Sequence, residues 1–391
     1  MQLAEIQSAL RELSLDGWLF YDHHERDPLA YRVLGFRPAR HVTRRWYYFI
    51  PAEGEPRGLV HRIEAGMLDA LPGPKTVYAD WRNQVEGLRA LLAGSRAVAM
   101  QYSPRNAVPY VGMVDAGTVE LVRSLGAEVV TSADLIQMFE ARWSAAQLEG
   151  CLEAGRRVDE VRRAAFERIR AQHAEGELVT EWTIRNFILD SFTRAGLFTD
   201  HGPIVAVNDN ASNPHYEPSR DMHRPIRPGD VILLDMWAKL AGEEDSVYYD
   251  ITWTGYTGAA PPSDVLNVFG IVREARDRGV EFVQRAVRER TDLRGFQVDD
   301  VVRGHIVAAG YGEWFPHRTG HSIGREVHGA GANMDNLETH DDRRVIAGTC
   351  FSIEPGIYLP RFGIRSEVNV YAGEAEAIVT GEAQQALVIV A

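Results

Sequence analysis

Five side chains in this sequence are of the kinds that hold hard divalent metal ions, and each lies in or beside an apolar or glycine-rich run. His321 sits in TGHSIG, between Gly320 and Gly324; Glu354 follows Phe351 and Ile353 in CFSIEPG; Glu367 stands in FGIRSEVNV. Asp235 closes the apolar run VILLD, and Asp250 lies in the β-prone run YYDITW. A carboxylate carried into a protein interior is costly unless a cation or strong hydrogen bonds hold it. Four carboxylates are neutralised by two divalent cations, whereas a single ion leaves a buried negative excess. Oxygen ligands with one imidazole suit manganese, cobalt or zinc, and a pair of such ions bridged by carboxylates is suited to hydrolysis. Taken singly, Asp235 is equally well read as a turn-capping carboxylate or as the partner of an arginine. Asp245, in the acidic turn between the two aspartates, is an alternative second ligand.

The elements that position these residues fall in the later part of the chain. From residue 1 to about 140, short helical and strand-like pieces alternate. Strands are expected near 17–21, 45–50, 58–60 and 96–100, and helices near 6–13, 85–92 and 115–125, which together make a compact α/β domain. This part carries no clustered acids and no phosphate loop. His23 and His24 are adjacent, so on regular structure they point apart, and Arg40, His41, Arg44 and Arg45 read as a solvated basic spot. Near residues 140–146 the pattern changes. Ser144 is a natural N-cap for a long helix over 145–172, and a second helix over 180–195 ends at Gly196. Strands follow at 204–207 and 231–237. Two more helices, 263–289 and 298–309, precede further strands through residue 370. Helix, helix, strands occurs twice, which suggests two related halves with a site between them drawing ligands from both.

Composition narrows the class. The 391 residues are 45% hydrophobic and 25% charged, as in a soluble protein of two domains. A formal net charge of −13 disfavours nucleic acid as a partner. No apolar run approaches the roughly 20 residues of a membrane span, and the start, MQLAEIQSALREL, reads as an amphipathic helix rather than a signal peptide. With only Cys151 and Cys350, neither a disulfide framework nor a thiolate metal site is expected. A cytoplasmic location is the simplest expectation.

The order of short segments carries a resemblance. Asn213-Pro-His215-Tyr, Leu234-Asp235, Asp250-Ile-Thr, Thr319-Gly-His321-Ser-Ile-Gly, Val327-His328, Ile353-Glu354-Pro-Gly-Ile-Tyr and Gly363-Ile-Arg-Ser-Glu367 resemble the pita-bread metallopeptidases. That family includes prolidase, aminopeptidase P, methionine aminopeptidase and the metal-free creatinases. The resemblance covers about residues 145–391, and the stretch before it looks like the N-terminal domain of the prolidase and aminopeptidase P branch. It implies an α/β (α+β) chain, with a smaller creatinase/prolidase-like α/β domain over 1–140. A pita-bread catalytic domain of two pseudo-related halves would follow over 147–391. It implies two divalent metal ions on Asp235, Asp250, His321, Glu354 and Glu367, manganese first with cobalt or zinc as alternatives. It also implies a homodimer.

Roles follow from the same resemblance. Asp250 rather than Asp245 has the matching Ile-Thr context. His215 and His328 match histidines that contact substrate and the developing tetrahedral centre; read as residues alone, each is a core histidine. His328 lies seven residues past His321, an odd offset, so the two converge only across a bend, which Gly324 can supply. His317 matches as a supporting residue. Glu354 is the expected proton acceptor, passing its proton to the leaving nitrogen, and His215 and His328 are the expected donors to the oxyanion.

The implied activity is hydrolysis of the N-terminal Xaa-Pro bond of small peptides, foremost dipeptides. The alternative is aminopeptidase P-like action on longer peptides; a metal-free creatinase-like hydrolase and a non-catalytic binding protein are further classes. A dipeptidase must recognise a C-terminal carboxylate, and Arg325, Arg343, Arg344 and Arg361 lie in the site-bearing region, with exposed surface arginines as the plain alternative. Some positions depart from the family pattern. Asp235 and Asp250 are 15 residues apart, more than usual. Trp253 stands where arginine is usual, and Ser322, Gly329 and Val368 replace common neighbours of the ligands. The ligand set survives these changes, while the pocket wall differs.

Overall fold

The computed structural model describes residues 2–37 and 41–391. Arg40, expected in the basic spot, lies outside the described residues. The chain divides into two units, Met1–Glu140 and Ala141–Ala391.

The first unit is built on a six-stranded sheet. Its strands are β1 (Gly17–Asp22), β2 (Trp46–Pro51), β3 (Arg57–His61), β4 (Lys75–Tyr78), β5 (Ala97–Met100) and β6 (Glu128–Thr131), in the order β4-β3-β2-β1-β5-β6. β1–β2 and β2–β3 are antiparallel and the other pairs parallel. Helices α1 (Leu3–Glu12), α2 (Pro28–Leu34), α3 (Trp81–Leu91), α4 (Ala116–Ser124) and the short α5 (Ala133–Ile136) complete it. Leu88 and Leu91 of α3 and Val119 and Val122 of α4 share one core with Leu19, Tyr47, Phe49, Leu59 and Val98. Asp27, Asp80 and Asp115 cap α2, α3 and α4 through backbone N–H groups, the role that favours short acidic side chains at helix starts. The two edge strands, α2 and α5 were not foreseen. β4 and β6 are four residues long with half or more of their side chains outside the core, so their apolar signal is weak.

The second unit opens with α6 (Ala145–Ala174), started by a capping box of Ser144 with Gln147. α7 (Glu181–Arg194) starts with a similar box at Thr180, and Gly196 follows in the left-handed region at φ 68°. The strands of the first half are β7 (Leu197–Phe198), β8 (Ile204–Val207), β9 (Val231–Leu240) and β10 (Tyr249–Tyr256). β9 pairs with β10 on one edge and with β7 and β8 on the other. The second half repeats the plan with α8 (Ser263–Glu289) and α9 (Gly295–Ala308). Its strands are β11 (Ser322–Ile323), β12 (Thr349–Ile353), β13 (Gly356–Leu359), β14 (Phe362–Arg365), β15 (Val368–Ala372) and β16 (Ala377–Val379), while β17 (Val388–Ile389) returns to pair with β10. This is the mixed α/β architecture of the pita-bread fold.

Strand alternation decides which residues face the site. Ile232, Leu234, Met236 and Ala238 of β9 pack into a core with Val158 of α6 and Ile188 of α7. The intervening Leu233, Asp235 and Trp237 therefore face the opposite side, where Leu233 and Trp237 join Ile204, Ala206, Ala211 and Tyr216. In the second half, Val272 and Val283 of α8 pack with Ile353 and Val368 beneath the segments that carry Glu354 and Glu367.

Candidate metal centre

Register brings the first-half acids together. On the antiparallel pair β9–β10, Asp235 opposes Thr252 and Trp237 opposes Asp250. The second half adds His321 just before β11, Glu354 just after β12 and Glu367 just before β15, where Ile353 and Val368 are paired neighbours. Gly320 makes this close approach feasible: a Cβ there would lie 1.9 Å from the Ser352 carbonyl oxygen.

Asp250, His321 and Glu367 form one buried cluster whose ligand atoms lie within 4.8 Å of one another. His321 Nε2 is 3.6 Å from Asp250 Oδ2 and 3.4 Å from Glu354 Oε1. Its Nδ1 lies 3.2 Å from the Ser322 carbonyl oxygen, which only accepts, so Nδ1 carries the proton and Nε2 offers its lone pair. Burial holds this imidazole well below its usual range, so it is neutral. A lone pair facing two carboxylate oxygens at such distances is repulsive unless a cation lies among them. Asp250 Oδ1 and Glu367 Oε1 are buried without hydrogen-bond partners. Burial, followed by mutual repulsion, pushes the Asp250 and Glu367 carboxyls far up. Burial also raises Glu354, to about 7, and Asp235. A set made wholly of acceptors, short of donors and reluctant to ionise, fits bound divalent cations.

Asp235 is held differently. Arg365 Nη2 donates to its Oδ2 at 2.5 Å, so the arginine partner that sequence left as an alternative is present. Arg365 is 3% exposed, and its Nε and Nη1 donate to Thr252 Oγ1 and the Tyr358 hydroxyl, each at 3.0 Å. Thr252 passes a hydrogen bond to Glu367 Oε2 at 2.7 Å. His317 extends the chain: its Nδ1 is 2.7 Å from the Arg318 carbonyl oxygen and its Nε2 2.7 Å from the Tyr358 hydroxyl. The carbonyl requires Nδ1–H, so Tyr358 donates to Nε2 while accepting from Arg365. Burial lowers His317 to about 3, consistent with this neutral tautomer.

His321 and His328 do converge, with ring centroids 4.4 Å apart at 87°. The strand simply ends after Ile323, and the Gly329 N–H returns to the Ser322 carbonyl oxygen, so a loop does what a bulge at Gly324 was expected to do. Burial brings His328 to about 4, with the charges of Arg318 and His215 opposing its protonation further. His215 lies exposed on the segment after β8. That segment is tied to Glu181, a wholly buried carboxylate at the start of α7. Glu181 accepts from Val207 N (2.8 Å), Asn210 Nδ2 (3.0 Å), the Tyr216 hydroxyl (2.6 Å) and Arg224 N (2.7 Å).

The arginines expected to receive a substrate carboxylate each have an acidic partner within the protein. Arg343 is 4% exposed and donates to Asp341 through Nε and Nη2 and to the Ala330 carbonyl oxygen through Nη1, so it braces the loop rather than facing a ligand. Arg344 pairs with Asp292, Arg325 with Asp245 and Arg361 with Asp264. The Arg325 pair also takes Asp245, 74% exposed, out of the ligand set. Sequence reasoning gave no role to Arg365, Tyr358, Thr252 or Glu181. The first three lie within or beside the ordered segments quoted above, so the signal was present without a partner to read it against.

The model of metallopeptidase family M24 matches residues 149–374. This chain is an M24 metallopeptidase. It is 25% identical over 346 residues to the "Probable dipeptidase PepE" of Mycobacterium tuberculosis, covering 87% of this chain and 84% of that one. It is 33% identical to the Xaa-Pro dipeptidase of Lactobacillus helveticus over 165 residues, 42% of this chain and 40% of that one. A match to a Mycoplasma pneumoniae protein, 32% identical, spans 52% of that protein's length. Among solved structures, dipeptidase PepE from Mycobacterium ulcerans superposes with a TM-score of 0.71 at 24% identity, covering 99% of this chain and 96% of that one. Prolidase from Thermococcus sibiricus does so with a TM-score of 0.65 at 25% identity, covering 99% and 98%. Among the described residues, no helix is long and apolar enough to cross a membrane.

Proposed function

We propose that this M24 metallopeptidase hydrolyses the N-terminal Xaa-Pro bond of small peptides, dipeptides first, with two divalent ions, manganese foremost, held by Asp235, Asp250, His321, Glu354 and Glu367. The observation that carries this reading is the imidazole lone pair of His321 facing Asp250 and Glu354 within a buried, donor-poor set of acids. Two such cations supply Lewis acidity and an acidified water. With Arg365 counted beside the four carboxylates, two divalent ions leave one positive charge in excess, which suits a reaction that gathers one negative charge at its centre. Glu354, whose Oε1 lies 3.4 Å from His321 Nε2 at the centre, is placed to take up the water's proton and return it to the leaving nitrogen. His328, kept neutral by burial, donates an N–H to the substrate carbonyl oxygen as charge develops there, and His215 approaches the same region from its tethered segment. Asp235 is aimed by Arg365, and the Tyr358–His317 pair holds that guanidinium in turn.

The placement of Arg343 favours a second reading. A dipeptidase needs a cation for the C-terminal carboxylate, and Arg343 is buried against Asp341. Arg318, whose charge acts on both Glu354 and His328, is the better candidate for that task. Without such a cation the enzyme would act as an aminopeptidase on longer peptides. Cleavage of Ala-Pro and of Ala-Pro-Ala by the manganese-loaded protein separates the two. Faster cleavage of Ala-Pro is expected; a preference for the tripeptide overturns the dipeptidase form, and no cleavage of either overturns both. Glu354→Ala is expected to abolish turnover with the fold retained, and a fully active variant would refute the assignment.

A further inference from the structure

We infer that Asp200, together with the indole of Trp237, forms an anionic subsite beside the metal centre that takes a positively charged side chain on the substrate's first residue. The inference deepens the peptidase reading and rests on it for the nature of the substrate. Trp237 opposes Asp250 across β9–β10 and stands two residues from Asp235, so its side chain leaves the sheet on the same face as both carboxylates. The indole is fixed at both ends. Its ring is partly buried against the small apolar group of Ile204, Ala206, Tyr216 and Leu233, and its Nε1 donates to Asp200 Oδ1 at 3.0 Å. Asp200 lies in the turn after β7, remote in sequence from the strand that holds it, and its side chain is 35% exposed.

The Tyr248 hydroxyl also interacts with Asp200, and the carboxylate's remaining partners are local. The His201 backbone N–H donates to Oδ1 at 3.0 Å, and Oδ2 is 3.3 Å from His201 Nδ1, on a ring that is 68% exposed. Burial pushes the Asp200 carboxyl up, but the Trp237 indole and His201 outweigh it, so the group sits below its usual range and stays ionised at neutral pH. Lys239, register partner of Phe198 across β7–β9, holds its Nζ over the Phe198 and Tyr248 rings and donates to the Arg325 carbonyl oxygen at 2.6 Å. The charge of Asp200 reaches the centre: it raises both Asp250 and His328.

An aromatic face leading to an ionised carboxylate is a receptor for a cation, through the ring and the charge together. With the scissile bond at the metals, this inference places the side chain of the first residue over Trp237, which opposes Asp250 on β9–β10. The long stems of lysine and arginine carry their charge past the ring toward Asp200, whereas an uncharged chain of equal length meets only the indole. Holding the indole needs an acceptor but no charge, so Asp200→Asn keeps the Trp237 bond and removes only the attraction.

The experiment compares L-lysine with L-norleucine, which lacks the terminal ammonium, by calorimetric binding to the manganese-loaded wild-type protein and to Asp200→Asn. In parallel, kcat/KM is measured for Lys-Pro and norleucyl-Pro. The wild type is expected to favour the lysine ligand and substrate by about tenfold, the effect of one partly buried charge interaction, and in Asp200→Asn both ratios fall to near one. Wild-type protein that does not distinguish the two, or a variant that keeps the lysine preference, overturns the inference. Lysine preference in binding without hydrolysis of either dipeptide would leave the subsite standing and overturn the Xaa-Pro reading instead.

Discussion

Arg365 shows how a single side chain can govern a centre in which it is not a ligand. Its three donor nitrogens reach Asp235, Thr252 and Tyr358, and Thr252 in turn holds Glu367, so one planar group sets the angle of two acids from different halves. A lysine keeps the charge but cannot reproduce that fork. Arg365→Lys is therefore expected to weaken metal binding or turnover by about 10- to 100-fold, read by metal titration and by kcat/KM. Tyr358→Phe removes the hydroxyl that joins Arg365 to His317. It should lower turnover by about tenfold while circular dichroism stays that of the wild type; unchanged turnover would show that the His317 branch is dispensable. Arg343, by contrast, was expected to face substrate and is instead the internal partner of Asp341, because a residue's type does not reveal which neighbour the fold supplies.

At the scale of elements, the start of α7 controls the segment that follows β8. Glu181 is buried with four donors drawn from residues 207–224. Each buried donor left without an acceptor costs about 1–3 kcal/mol. Glu181→Ala should therefore release the segment around His215 before the rest of the unit. Limited proteolysis is expected to cut within 208–224, with a fall in turnover close to that of His215→Ala. Adding the two substitutions together should give little further loss, since both act on one feature. The same segment leans on β14: a Cβ at Gly363 would lie 1.9 Å from the Ala211 carbonyl oxygen, so that close packing requires glycine. Alternation along β9 performs the other division, sending Leu234 and Met236 to the helices and Asp235 and Trp237 to the opposite face, where Asp250 also stands.

For the whole molecule, the buried acids couple metal, pH and stability. Glu354 titrates at about 7 in the folded protein and near 4.3 when unfolded. A group raised in this way contributes stability that is full below its unfolded value and is lost as pH rises through its folded value. In a chelator, the unfolding temperature should thus fall as pH rises from about 5 to 8, with Asp235, Asp250 and Glu367 acting in the same direction. Metal binding needs these groups deprotonated, so added manganese should oppose the loss, and the gap between loaded and chelated protein should widen with pH. Differential scanning at several pH values checks this; a gap that shrinks with rising pH would contradict it.

The amino-acid sequence by itself determined the helices of the second unit to within a few residues and the repeat of its two halves, and it singled out Asp250 and Glu367, which the fold gathers with His321. Those follow from local preferences: capping residues at Ser144 and Thr180, apolar periodicity, and carboxylates set in strand-forming runs where only a special environment tolerates them. The partners were decided by tertiary structure alone. Pairing of β9 with β10 placed Trp237 beside Asp250, the turn after β7 brought Asp200 to the indole, and the packing of two halves set Arg365 on Asp235 rather than on any substrate. Such contacts join residues up to 130 positions apart, and electrostatic energy depends on distance and burial in space, neither of which is carried by residue type or local order.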